Sequence, residues 1–475
     1  MKKKIKGANP YLPLWEHIPD GEPRVFTYNG ETRVYVYGSH DSLRTEYCGL
    51  EYLVWSAPVY DLTDWRCDGV CYRSEDGEPL YAPDVVEKDG TYYMYAAVDK
   101  GTKIYVASSE SPTGPFVNPV MTRLGFDPGV LVDDDGRIYA YWGYCSSHAA
   151  ELEEDMITIK GGKVIHHMIP HAYVDFVRDA DYEHIDTEFG FFEASSIRKV
   201  GCKYVYIYSK LDNVGDPKSG IKKGTNSSLN YAYSDSPLGG WTYGGVISYN
   251  CGDVYTNKDG SKARTYHYCN NHGSIVDVNG QWYIFYHRKT GTNEYSRQGM
   301  LEPIDAVVGK DGKVYIGKVS FDENGEPVSC EPAEMTSQGA HKDGIDSYSI
   351  LSAGYACWLT PADNGEQPYI QPVYEDRSSP VVNIKSGAIV GFKYMQFGEI
   401  SPKSITVNVK NVVTDGIISV FIDKPDGTRT AELTSGKDTV EITEPITGKH
   451  AIYFVFIAEN KDTDLCVFDS FTFNK

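Results

Sequence analysis

Asn279-Gly280-Gln281-Trp282-Tyr283-Ile284-Phe285-Tyr286 sets a polar, glycine-bearing turn against a run of aromatic and branched residues, and the chain uses this device five times. The other copies are Asn29-Gly30 before Val34-Tyr35-Val36-Tyr37, Asp89-Gly90 before Tyr92-Tyr93-Met94-Tyr95, Asp135-Gly136 before Ile138-Tyr139-Ala140-Tyr141, and Gly201 before Tyr204-Val205-Tyr206-Ile207-Tyr208. Glycine supplies the positive φ of a tight hairpin, and aromatic and β-branched residues suit a pleated surface. A short strand, a turn and an aromatic strand, repeated along the chain, mark sheets arranged radially. Five units predict an all-β chain whose residues 1–328 form a five-bladed β-propeller.

Just upstream of each copy stands an acidic residue or a histidine: Asp20, Asp84, Asp127, Glu193 and His272. The residue entering the innermost strand of a blade points toward the central axis, so five blades gather these groups in one funnel. Asp20, Asp84 and Glu193 each sit between an aromatic or proline-rich approach and a β-branched strand. A carboxylate in such apolar surroundings is costly unless solvated or paired. Three that converge suit glycoside hydrolysis: one protonates the leaving oxygen, one activates water, and one holds the acid's pKa up. Asp127 is expected to stabilise a blade turn instead.

The bulk composition narrows the partners. The 475 residues carry a formal net charge of −21. That disfavours nucleic acid and anionic membrane surfaces, both of which call for clustered cations. Neutral sugars remain suitable, and the 38 tyrosines offer flat apolar faces with a hydroxyl at the edge. The start Lys2-Lys3-Lys4 has no apolar run behind it, so the expected location is cytoplasmic, or extracellular with a leader absent from this sequence. Ten scattered cysteines read as packed thiols rather than a disulfide framework. No organic cofactor motif is present.

Beyond the polar, turn-rich stretch 324–346 the pattern changes. Ser404-Ile405-Thr406-Val407-Asn408-Val409, Ile417 to Ile422 and Ile452 to Ile457 alternate as short strands, and the chain closes on Phe468-Asp469-Ser470-Phe471-Thr472-Phe473. Residues 329–475 therefore read as a β-sandwich of jelly-roll type.

Tyr81-Ala82-Pro83-Asp84-Val85, the Glu193 strand, the early Asp20, the opening Asn9-Pro10-Tyr11-Leu12-Pro13 and the run Asp127-Pro128-Gly129 to Gly136 together resemble glycoside hydrolase family 43 over residues 9 to 325. The resemblance implies a five-bladed propeller that cleaves arabinose and xylose linkages with inversion. It implies Asp20 as general base, Asp84 as the residue that modulates pKa, and Glu193 as general acid. Inversion in turn predicts about 6.5–9.5 Å between base and acid. Because the family's usual Asp-Pro is here Asp20-Gly21-Glu22-Pro23, Glu22 stands as the alternative base. Arg297 resembles a family arginine that reaches sugar hydroxyls, and Phe192, Trp142 and the pair His287-Arg288 are candidates for the pocket wall. His272 resembles the family's axial histidine, near which calcium or sodium is bound. Calcium is also implied for the sandwich, which resembles carbohydrate-binding module family 6 and has Trp358, Tyr369 and Tyr374 as candidate platforms. The expected activity is release of α-L-arabinofuranose from arabinoxylan or arabinan oligosaccharides. β-D-Xylosidase action on xylo-oligosaccharides, or both activities, is the near alternative, and a non-catalytic sugar-binding propeller is the alternative of another class.

Overall fold

Each of the five glycine turns joins the two innermost strands of one antiparallel sheet. The computed structural model describes residues 5–172, 188–212, 215–362, 365–375, 377–413, 416–434, 437–461 and 463–475. The paired strands are Glu22–Tyr28 with Glu31–Tyr37, Leu80–Lys88 with Thr91–Val98, and Gly129–Val132 with Ile138–Trp142. The last two pairs are Phe191–Val200 with Lys203–Asp212 and Ser274–Val278 with Gln281–Lys289. Gly30, Gly90, Gly136 and Gly280 have φ between 81° and 84°. A Cβ built on any of them would meet nothing within 4 Å, so the backbone conformation, not space, calls for glycine there.

The first four sheets have four strands in chain order, and the fifth has five, ending with Pro327–Glu331. Neighbouring inner strands touch in the order 1-2-3-4-5, and the first touches the fifth, which closes the ring. Strand alternation builds the cores between blades. Tyr35 and Tyr37 of blade 1 pack with Val85, Tyr92 and Met94 of blade 2, while Val34 and Val36 turn the other way onto Val276 and Phe285 of blade 5. The same period of two sends Tyr139 and Tyr141 toward Phe191 and Tyr206. Asn9 clasps the ring at its seam: its side chain donates to Leu301 O at 2.7 Å and accepts from Leu301 N at 2.9 Å.

The fifth sheet runs on to Glu331 and the next strand, Ile345–Asp346, belongs to a different sheet. The change of domain thus lies a few residues past the expected 328, because Pro327–Glu331 still pairs with Val314–Phe321. The C-terminal part is a sandwich of two six-stranded sheets around Phe392, Phe454, Phe468 and Phe471. All ten cysteines are free. Among the described residues no helix is long and apolar enough to cross a membrane.

The seam between propeller and sandwich joins a continuous apolar core to buried polar contacts. Arg288 is fully buried and donates to Ala356 O and Gly354 O, each at 2.5 Å. It therefore ties the domains together and is not a pocket wall. Two of the three candidate sugar platforms are packed nearby, and the third, Tyr369, is half-buried in the strand Tyr369–Ile370. Trp358 packs between Tyr255 and Tyr453. Tyr374 lies under Arg44 and beside His17, and bonds the Ser296 hydroxyl.

Candidate active site

The strands of the ring deliver their entering residues to one end of the axis, where a cavity of about 590 Å³ opens. Asp20, Asp127, Glu193, His272, Arg297 and Phe192 all line it. Local backbone shape does the aiming. Asp20 and Asp127 adopt the left-handed region, with φ of 57° and 50°, as does Ala194, next to Glu193, at 67°. Non-glycine residues are uncommon there, and such conformations concentrate at functional sites. The Glu193 strand also shifts register on both sides of Glu193, a bulge that re-aims the side chain.

Asp20 is prepared as an ionised acceptor. Its Oδ1 takes a bond from Arg297 Nη1 at 3.1 Å and its Oδ2 one from the Ser39 hydroxyl at 2.5 Å. Burial, the largest single influence, would push its carboxyl up, but the Arg297 guanidinium, the neighbouring histidines and the Ser39 hydroxyl together outweigh it and hold the group below the ordinary aspartate range. Arg297 is itself fixed by Asp41, which accepts from Nε at 3.0 Å, from Nη2 at 2.9 Å and from the backbone N–H at 2.9 Å.

Glu193 is prepared in the opposite sense. Burial first, and the Asp127 carboxylate second, raise its pKa to about 8, so it holds a proton at neutral pH. Asn226 Nδ2 donates to its Oε1 at 2.9 Å. Asp127 is anchored by the Ala194 N–H at 3.0 Å and by His272, whose Nδ1 lies 3.4 Å away. Burial alone would lower the imidazole, but Asp127 lifts it to about 9, making His272 a cation.

Several expectations change at this point. Asp84 does not reach the cavity. Its two oxygens accept from Arg24 Nε and Nη2 and from the Val85 and Val130 N–H groups, at 2.6–3.1 Å. The spacing explains the displacement. Asp20, Asp127, Glu193 and His272 stand 10, 9, 8 and 8 residues before Gly30, Gly136, Gly201 and Gly280, whereas Asp84 stands only 6 before Gly90. It is therefore deeper along its strand, and Tyr81 and Ala82 take the cavity position in blade 2. That count was available in the sequence and points to Asp127 as the third carboxylate. Nothing local in the sequence marks Asp41 or Asn226, which meet the site only through the fold.

Glu22 is likewise set back. It receives Arg198 Nη2 at 2.5 Å and the Ser196 hydroxyl at 3.0 Å, with Arg24 Nη2 at 3.4 Å, which leaves Asp20 as the carboxylate of blade 1 on the cavity. His287 is fully buried behind Asp20 rather than on the wall. Its Nδ1 accepts the Asp20 N–H at 3.2 Å and its Nε2 donates to Asn270 O at 2.8 Å. Burial holds its pKa down near 3, so it stays neutral and positions Asp20. Trp142 packs on Gly125 and His148 instead of lining the cavity.

Calcium takes six to eight oxygens. Among the described residues no group of three or more histidine, cysteine or acidic side chains is disposed to hold a metal ion. The Arg198 guanidinium sits where Glu22, Pro23 and Ile275 converge, which puts a cation there already. An ion beside His272 would therefore take most of its oxygens from water, with His272 as at most one protein ligand.

Because the buried Asp84 compensates the half-buried Arg24, Asp84→Ala is expected to lower stability by roughly 3 kcal/mol, measured by urea unfolding. A change below 1 kcal/mol would contradict the pairing.

Residues 22–314 match the family described as glycosyl hydrolases family 43, and residues 362–475 match carbohydrate binding module (family 6). The first match begins two residues beyond Asp20, whose assignment here rests on geometry. A protein named xylosidase/arabinosidase from Thermoclostridium stercorarium is 36% identical over 449 residues, covering 85% of each chain. One of the same name from Bacteroides ovatus is 30% identical, covering 60% of this chain and 89% of its own. A solved arabinoxylan arabinofuranohydrolase of family 43 from Bacillus subtilis, in complex with cellotetraose, aligns over 99% of both chains at 23% identity and a TM-score of 0.48.

Proposed function

Since this chain belongs to glycosyl hydrolase family 43 and is a glycoside hydrolase, we propose that it is an inverting, exo-acting enzyme releasing α-L-arabinofuranose from arabinoxylan and arabinan oligosaccharides. The observation that carries this reading is the split between two carboxyl groups on one cavity: Asp20 held ionised, Glu193 held protonated. Such a pair is what acid–base cleavage of a glycoside needs.

In this mechanism water lies between Asp20 and the anomeric carbon. Asp20 takes one water proton as the oxygen bonds to that carbon from the face opposite the leaving group. The carbon–oxygen bond to the aglycone breaks, and Glu193 gives its proton to the departing oxygen. Asp127 acts on Glu193 electrostatically, and Arg297 both steadies Asp20 and offers donors at the cavity surface. A second reading, joint action on β-D-xylosides, is favoured by the xylosidase/arabinosidase names of the relatives. A few contacts decide between pentoses, each worth about 1–3 kcal/mol.

The test is to compare hydrolysis of nitrophenyl α-L-arabinofuranoside and β-D-xyloside, with proton NMR of the anomer first formed. Retained configuration, or no turnover of either, would reject the reading. The pH profile should be bell-shaped. Glu193 works protonated, so activity falls as pH rises through about 8. Asp20 works ionised, so activity falls only below the ordinary aspartate range. Asp127→Asn removes the charge that opposes ionisation of Glu193. The basic limb should then move to lower pH, with the acidic limb little changed; an unmoved basic limb would remove Asp127 from its role.

A further inference from the structure

The sandwich reaches past the seam as far as the loop that carries Arg297. Its segment 370–374 lies against loop 290–296 of blade 5, which joins the strands Gln281–Lys289 and Arg297–Val308. The contacts are of several kinds. The Gly291 N–H donates to Ile370 O at 2.8 Å, and a Cβ built on Gly291 would meet Pro372 at 3.3 Å. The Tyr374 hydroxyl is hydrogen-bonded to the buried Ser296 hydroxyl. Ser296 O in turn closes the loop, accepting from the Thr290 N–H at 3.1 Å and from the Thr290 hydroxyl at 2.7 Å. Ser296 immediately precedes Arg297.

The ring of Tyr374 opens a second path to the same arginine. It packs on His17 with 4.8 Å between centroids, and Arg44 lies over it, its guanidinium carbon 3.5 Å from the ring centre. His17 O accepts the Asp41 N–H at 3.0 Å, and Asp41 is the carboxylate that grips Arg297. One side chain of the sandwich thus touches both supports of Arg297: the residue before it in the chain, and the segment that holds its counter-ion. Tyr374 is not among the residues lining the cavity, so its effect on chemistry must pass through others. On the opposite side the loop is tied to blade 1, where the Tyr47 hydroxyl donates to Glu294 at 2.5 Å. We propose that Tyr374 is a positioning residue for glycoside cleavage: through it the sandwich sets the Arg297 guanidinium against Asp20. A long arginine side chain keeps one rotamer only where its backbone and its partner are both fixed, and a shift of about 1 Å at a reacting group can cost about 100-fold in rate. The proposal rests on the reading of Asp20 as the base.

Variants of the full chain test it. Tyr374→Ala removes ring and hydroxyl, Tyr374→Phe only the hydroxyl, and Ser296→Ala the partner of that hydroxyl. On whichever nitrophenyl pentoside the parent cleaves faster, kcat should fall about tenfold or more in Tyr374→Ala. Tyr374→Phe should lose only about threefold, because its ring still carries Arg44 and His17. Ser296→Ala should match Tyr374→Phe, and the double variant should be no worse than either, since all three break one bond. The acidic limb of the pH profile is what a residue serving stability alone would leave unmoved. The charged and titratable groups facing Asp20 are Arg297, His287, His272 and, across the cavity, Glu193. With Arg297 loosened, burial dominates and the Asp20 carboxyl rises, so in Tyr374→Ala the acidic limb should move up by about half a pH unit or more. The basic limb, set by burial of Glu193 and by Asp127, should stay. A folded Tyr374→Ala with parental kcat, or with lowered kcat and an unmoved acidic limb, would overturn the proposal. Should that variant not fold, the other two decide: parental kcat in both, or additive losses in the double variant, would overturn it as well. Undiminished kcat in Asp20→Asn would instead reject the reading of the base, a result separate from any at Tyr374.

Discussion

Replacing Glu193 with alanine should reduce kcat/KM on arabino-oligosaccharides by roughly 10⁴-fold, the upper range for loss of a positioned proton donor. The size of the effect depends on the leaving group. A sugar hydroxyl departs poorly as an alkoxide and needs the proton that Glu193 holds up to about pH 8. Dinitrophenolate departs without one, so activity on a dinitrophenyl glycoside should survive far better. The basic limb should vanish from the remaining profile, because the group that titrates there is gone. The fold should tolerate the change, since among the described residues the carboxyl accepts a single hydrogen bond, from Asn226, and it borders an open cavity. Equal losses on both substrates would show that Glu193 is not the acid.

Replacing Asp20 with asparagine is expected to cut kcat about 10³-fold with little change in KM, on either kind of leaving group. The water attack needs a base whatever departs, so this variant should lack the leaving-group dependence seen at Glu193. Asparagine keeps an oxygen for the Ser39 hydroxyl or Arg297 Nη1. Arg297 also retains Asp41, so no buried cation is stranded. Measuring both variants on oligosaccharide and dinitrophenyl substrates separates the roles. Equal leaving-group sensitivity at the two positions would sink the division of labour between them.

The contrast between Asp84 and Asp127 shows how the pattern could be misread. Both carboxylates precede an aromatic strand by a few residues, and both are buried. Only the count to the turn glycine separates them, because rise along a strand translates residue number into depth on the axis. Glu22 and Asp20 pose the same problem two residues apart: one reaches the cavity and the other meets Arg198. His287 carried no such signal. A histidine amid aromatics reads equally as wall or as core, and its partner is the backbone of a residue 267 positions away.

Order along the chain was enough to indicate the five-fold sheet repeat, the sandwich that follows it, and Asp20 and Glu193 as carboxylates that meet on one cavity. Turn glycines and alternating aromatics act within a few residues, where local backbone preference and burial period dominate. The depth of each acid on the axis, the pairing of Asp84 with Arg24, the clamp of Asp41 on Arg297 and the seat of Tyr374 beside Ser296 were decided by tertiary structure alone. Each joins segments from different blades or domains, and the electrostatics that separate an ionised Asp20 from a protonated Glu193 arise only when those segments bring their charges within a few ångströms in a site shielded from water.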